Sequence, residues 1–217
     1  MNASRTALNF YAECMMCPNT SDQCPGIWKD IPGGVPPRGF FFQQVPVQLL
    51  VVAKNPGHPM HGESCRLAAR TGTELLEAYR QFQNELYPNP DAWHEPSNRF
   101  HKNLFRYLGC FLDVPQSEIY QLAAHTNLVK CSTEDEQAKL NPRTMETCFE
   151  TYFLAELKIF RPKVLLALGR EVERFLLSRR DVHGLPVVEI KHPSYYYRRE
   201  AEKEILAKKR EEIRSYF

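Results

Sequence analysis

Short apolar runs that stop abruptly at polar residues, with helix-period stretches between them, limit what this chain can fold into. LLVVA (Leu49 to Ala53) and KVLLALG (Lys163 to Gly169) are too short for helices and too apolar for loops, so each predicts a buried strand. The first strand is read over Gln48 to Ala53 and the second within IYQLAAHTNLVKC (Ile119 to Cys131). KVLLALG, closed by Gly169, is the third and LPVVEIKHPS (Leu185 to Ser194) the fourth. TELLEAYRQFQ (Thr73 to Gln83) carries apolar residues at helical spacing behind a Thr suited to an N-cap, and an amphipathic stretch runs to Leu112 after the turn-rich YPNPDAWHEPSNRF. NPRTMETCFETYFLAELKIFRP predicts a long helix ending before Pro162, REVERFLLSRR another, and REAEKEILAKKREEIRSYF a charged terminal helix. Strands that alternate with helices predict an α/β fold, here a three-layer α/β/α sandwich around a central, mainly parallel four-stranded sheet. The length of 217 residues and 43% hydrophobic content suit one domain over 1–217.

Charge gives little direction. With 28 basic and 26 acidic residues, any anionic partner must be met by a local patch. No apolar run approaches the roughly 18 residues a membrane span requires. The opening MNASRTALNF lacks the basic and then apolar regions of a secretory leader, so a cytoplasmic protein is expected. The seven cysteines are an odd number, which argues against a closed disulfide set. Cys14 to Gly39 is rich in Cys, Pro and Gly and reads as an irregular segment that something must hold. Cys14 and Cys17 form a CxxC pair there; Cys131 follows the second strand, and Cys148 lies within the next helix. Four thiolates meeting beside the sheet would suit a 4Fe-4S cluster or a structural zinc, with Cys24 able to replace one of them. Cys65 and Cys110 read as small hydrophobes.

In parallel sheets, ligands bind beyond the carboxyl ends of the strands. Three strands here end in polar signatures, AKNPG, TNLVKC and KHPS, which would bring Asn55, Asn127 and His192 to one cleft.

With those strand ends and that cysteine spacing, the chain resembles the uracil-DNA glycosylase superfamily, and within it the iron-sulfur branch often called family 4. The likeness runs from Cys14 to Arg198. AKNPG (Ala53 to Gly57) falls on the branch's GEAPG, ARTG (Ala69 to Gly72) on GRAG, and TNLVKC on TNVVKC. RPKVLLALG falls on RPKVIVALG, and HPSYYYR on HPSYLLR. The resemblance implies a base-flipping enzyme that hydrolyses the N-glycosidic bond of a damaged or modified base in DNA and leaves an abasic site. It implies that Asn55 positions the attacking water, that His192 donates a hydrogen bond to the pyrimidine O2, and that Asn127 reads the Watson–Crick edge. It places Cys14, Cys17, Cys131 and Cys148 as ligands of a 4Fe-4S cluster, with structural zinc as the alternative. Lys54, Pro56, Gly57 and His58 would line the substrate site. DNA is the implied partner, no membrane is expected, and the enzyme is expected to act as a monomer.

Two departures bear on the substrate. Lys54 replaces the branch's Glu and cannot serve as a carboxylate base. Leu67 falls where the branch stacks an aromatic ring on uracil, which leaves room for a larger base, with His58, His61 and Arg66 nearby as donors. The expected activity is a monofunctional glycosylase for uracil or a deaminated base. The alternatives are a glycosylase acting on hydroxymethylated or glucosylated cytosine in viral DNA, as antiviral defence, and a catalytically silent DNA-binding module. HPSYYYRR is expected to supply the DNA contacts: Ser194 beside the cleft, Tyr196 or Tyr197 as a wedge in the base stack, and Arg198 or Arg199 on phosphate.

Overall fold

The computed structural model describes residues 3–18, 22–27, 40–57, 72–86, 99–133, 139–195 and 199–217. Four strands form one parallel sheet in the order β2-β1-β3-β4: β1 (Leu49–Ala53), β2 (Ala123–Asn127), β3 (Val164–Leu168) and β4 (Val187–Ile190). The first three are buried along their whole length, as expected of strands covered on both faces. The register pairs Ala53 with Asn127 and Leu168 with Ile190, so the polar sequences that follow the strands emerge along one edge.

Side chains alternate between two cores. Leu50, Val52, Ala124, Leu165 and Ala167 face α1 (Ala3–Met15), α2 (Gly72–Leu86), α5 (Pro142–Cys148) with α6 (Leu154–Phe160), and α7 (Arg170–Leu177). Leu49, Val51, Ala53, Leu166 and Ile190 face α3 (Arg99–Leu112), the short α4 (Ile119–Leu122) and α8 (Arg199–Arg214). This is the three-layer sandwich the sequence predicts.

Several boundaries differ for identifiable reasons. The second strand covers only Ala123–Asn127: Ile119–Leu122 is a helical turn, and beyond Asn127 the chain leaves the ladder. There the Leu128 and Val129 amides turn to the carbonyls of Ala53 and Lys54, which ties the loops after β1 and β2 together. Cys14 is not in an irregular segment but near the end of a helix, whose Ala7, Tyr11, Cys14 and Met15 are buried at helical spacing. The long helix is interrupted by a π turn at Phe149–Phe153 and stops at Arg161, which caps it in the left-handed region (φ 46°) just before Pro162. The helix beginning at Arg170 ends at Leu177, short of the predicted SRR. Among the described residues no helix is long and apolar enough to cross a membrane.

Candidate active site

Asn55 follows β1 in a turn that its neighbours hold from several sides. Its Nδ2 donates to the Pro56 carbonyl at 3.0 Å and to Thr133 Oγ1 at 3.4 Å. Ser132 Oγ closes the loop by donating to the Gly57 carbonyl at 2.8 Å. With both amide hydrogens engaged, Oδ1 is the end left to accept from a water, and among the described residues nothing competes for it. Lys54 points elsewhere, to an ion pair with Glu171 on the first turn of α7 at 3.4 Å.

His192 comes two residues after β4. Its Nδ1 accepts from the Ser194 amide at 3.3 Å, and the Tyr195 amide donates to its carbonyl at 2.9 Å. An acceptor at Nδ1 puts the proton of the neutral ring on Nε2, so His192 presents an N–H donor. Burial, followed by the Lys54 charge, holds its pKa down at about 4, so the ring is neutral at physiological pH. The loop is also clamped from α3, where Asn103 Nδ2 donates to the Pro193 carbonyl at 2.7 Å.

Asn127 is buried at the end of β2, and its carbonyl accepts from Lys130 Nζ. Lys130 is itself buried in a polar network on the opposite face of the sheet. Its ammonium pairs with Glu156 Oε2 at 2.8 Å and donates to Thr126 Oγ1 at 2.6 Å; Glu156 Oε1 takes the Tyr11 and Thr126 hydroxyls at 2.5 Å each. The Asn55 amide, the neutral His192 imidazole and the Asn127 amide therefore share one edge of the sheet. The family model of the uracil DNA glycosylase superfamily matches residues 42–215. The chain belongs to the uracil DNA glycosylase superfamily. No curated protein matches it.

Membership of this superfamily makes DNA glycosylase chemistry on a DNA substrate the general expectation. Pro56, buried, and Gly57, exposed, complete the Asn55 turn, and Ser194 is exposed beside His192. His58, His61, Arg66, Leu67, Tyr196, Tyr197 and Arg198 lie outside the described residues. Two neighbours of the cleft went unnoticed in the sequence. Tyr195, the first tyrosine of HPSYYYR, is 63% exposed, and its ring lies 6.0 Å from that of His192. Phe100, assigned to a loop, opens α3 with its ring 5.1 Å from His192. Tyr195 lies inside the HPSYYYR motif, whose wedge role the sequence reading gives to the tyrosines after it, while no motif marks Phe100 and only the folding of α3 against the HPS loop brings it into place.

Five of the seven cysteines gather behind the β2 end of this superfamily fold. Cys148 is hydrogen-bonded to Cys24, which with burial raises its pKa, and it lies within electrostatic reach of Cys131. Cys14, also pushed up by burial, lies within reach of Cys17 and Cys131, and Tyr152 hydrogen-bonds Cys17. None of the five is in a disulfide. Among the described residues, no group of three or more Cys, His, Asp or Glu is arranged to hold a metal ion. Cys110 sits apart on α3, and Cys65 lies outside the described residues.

Proposed function

We propose that this protein is a monofunctional glycosylase that hydrolyses the N-glycosidic bond of uracil or a deaminated base flipped out of DNA. The observation that carries the reading is His192: neutral, with Nδ1 satisfied by the Ser194 amide, and therefore offering Nε2–H at the strand-end cleft. As the bond from sugar C1′ to the base breaks, the electron pair leaves with the base and the pyrimidine O2 becomes anionic, while the sugar becomes oxocarbenium-like. A fixed donor aimed at a developing oxyanion is worth about 10²–10³ in rate. A water held by Asn55 Oδ1 adds to C1′ from the other side, and its proton passes to solvent. Because an amide is a poor base, positioning is the contribution of Asn55. Asn127 would meet the flipped base with one donor and one acceptor. The Lys54–Glu171 pair keeps a cation near His192 that further favours its neutral form.

A 4Fe-4S cluster on Cys14, Cys17, Cys131 and Cys148 is part of the proposal, with structural zinc as the runner-up. The donor set fits in kind: four thiols, with Cys24 as a fifth beside Cys148, lie between α1, the loop after β2 and α5. Such a group would tie the N-terminal helix to the sheet and take no part in the chemistry. Brown protein with stoichiometric iron is expected from anaerobic purification; colourless protein that holds zinc, or no metal, overturns the cluster.

The test of function is parallel excision from DNA carrying uracil, hypoxanthine, hydroxymethylcytosine or glucosylated cytosine, scored as alkali-labile sites. Uracil or hypoxanthine should be released, and Asn55→Ala and His192→Ala should each cut release at least 100-fold while DNA still binds. Release confined to the bulky cytosines would turn the reading to defence against modified viral DNA. DNA binding with no release of any base would leave a silent binding module.

A further inference from the structure

Beside His192 lies a second imidazole that the reaction as described does not use. His125 sits on β2 two residues before Asn127, so the two side chains leave the same face of the sheet, toward the start of α3. Its backbone is fixed by a two-way exchange with Phe41, the His125 amide donating at 2.8 Å and the Phe41 amide at 2.7 Å. The residue is only 6% exposed, yet among the described residues its Nε2 meets no hydrogen-bond partner. Its ring lies 5.8 Å from Phe100, which also lies 5.1 Å from His192 and 5.0 Å from His101, so one phenyl ring packs against all three imidazoles. Burial keeps His125 neutral, with the neighbouring His101, Lys130 and His192 acting in the same direction.

A buried polar atom without a partner destabilises a fold, and such atoms persist where a ligand supplies the missing bond. We propose that His125 is a specificity-determining residue whose Nε2 hydrogen-bonds the edge of the flipped base, with Phe100 as the wall that sets its distance from His192. The inference rests on the glycosylase reading given above. A neutral imidazole donates to a keto oxygen in one tautomer and accepts from an amino or ring N–H in the other. The pocket would therefore take small keto bases such as uracil and hypoxanthine. A phenyl wall at this place limits the room for a glucosylated ring.

The decisive variant is His125→Leu, similar in size but without the stranded nitrogen. It is expected to unfold at the same or a slightly higher temperature than wild type, bind DNA equally well, and release uracil about tenfold more slowly, the worth of one hydrogen bond. Wild-type release speed in this variant overturns the inference and leaves the glycosylase reading standing. A drop in melting temperature together with lost release would place His125 in the fold and also overturn it. If wild type releases no base, the glycosylase reading falls, and a second measurement still judges the inference. The Nε2 resonance of His125, followed by nitrogen NMR, should move when an oligonucleotide with a hydrolysis-resistant, sugar-fluorinated deoxyuridine is added, and should stay still with the same strand carrying thymidine. An unmoved resonance overturns the inference whatever the activity.

Discussion

Lys130→Met is expected to be the most damaging single change outside the cleft. Lys130 and Glu156 are 1% and 0% exposed, so neither charge has water to fall back on. Losing the ammonium leaves Glu156 Oε2 bare, while Oε1 keeps only the neutral hydroxyls of Tyr11 and Thr126. Breaking one side of a buried pair costs about 3–5 kcal/mol, because the surviving charge stays buried without its counterion. With a urea slope of about 2.5 kcal/mol per molar for a chain of this size, a loss of about 4 kcal/mol lowers the unfolding midpoint by roughly 1.5 M. The double change Lys130→Met, Glu156→Gln removes the stranded charge but keeps an oxygen for Tyr11 and Thr126, and should recover about half the loss or more. The measurement is a set of urea melts on wild type, both single variants and the double. A Lys130→Met cost under about 1 kcal/mol, or a double variant that costs the sum of the singles, refutes the reasoning. Because Lys130 also holds the Asn127 carbonyl, any folded variant should excise its base more slowly than wild type.

Acid should unfold the protein through its buried imidazoles. His101 and His192 titrate at about 4 and His125 at about 3 in the folded chain, against about 6.5 unfolded, so stability is full above pH 6.5 and falls below it as the unfolded chain takes up protons first. Three such groups give a slope of up to about 4 kcal/mol per pH unit, and urea midpoints collected from about pH 7 to 5 should show it, with roughly one third less in His125→Leu. Thr133→Val, which removes the hydroxyl on Asn55 Nδ2, is expected to lower kcat several-fold with KM and melting temperature nearly unchanged; an unchanged kcat would show that the turn holds Asn55 without it. Cys148→Ser should reduce iron content and thermal stability together, as read by metal analysis and a thermal melt, whereas Cys110→Ser should change neither.

Strand periodicity and short motifs made the sheet and the Asn55, Asn127 and His192 positions legible, because a parallel sheet delivers whatever follows each strand to the same edge. The motif could not say where Asn127 ends its strand: the apolar Leu128 and Val129 look like strand, but their amides are taken by the carbonyls of Ala53 and Lys54. The helix over Ala3–Met15 escaped because its buried face includes Cys14 and Tyr11, and the cysteines drew the reading toward an irregular segment. Phe100 and His125 escaped for a tertiary reason. One is a helix-start residue and the other an alternate position on a strand, and nothing local marks either as facing His192.

The strand order separates the polar residues that follow the strands. The chain runs from β1 outward to β2 and then returns to the far side of β1 for β3 and β4, so the direction of winding reverses between β1 and β3, where such sheets open a ligand crevice. Neighbouring strands lie about 4.8 Å apart, so Asn55 beyond β1 and His192 beyond β4, two strands over, start roughly 10 Å apart. That is too far for either to act on the other and about the width of a nucleoside laid between them. On the proposed glycosylase reading, the water belongs to the β1 end and the leaving base to the β4 end. β3 lies between, and Glu171, in the first turn of the helix that follows it, holds Lys54. On the same reading, Lys54, paired with Glu171, is a cation near enough to His192 to favour its neutral form and would attract the anionic base as it forms.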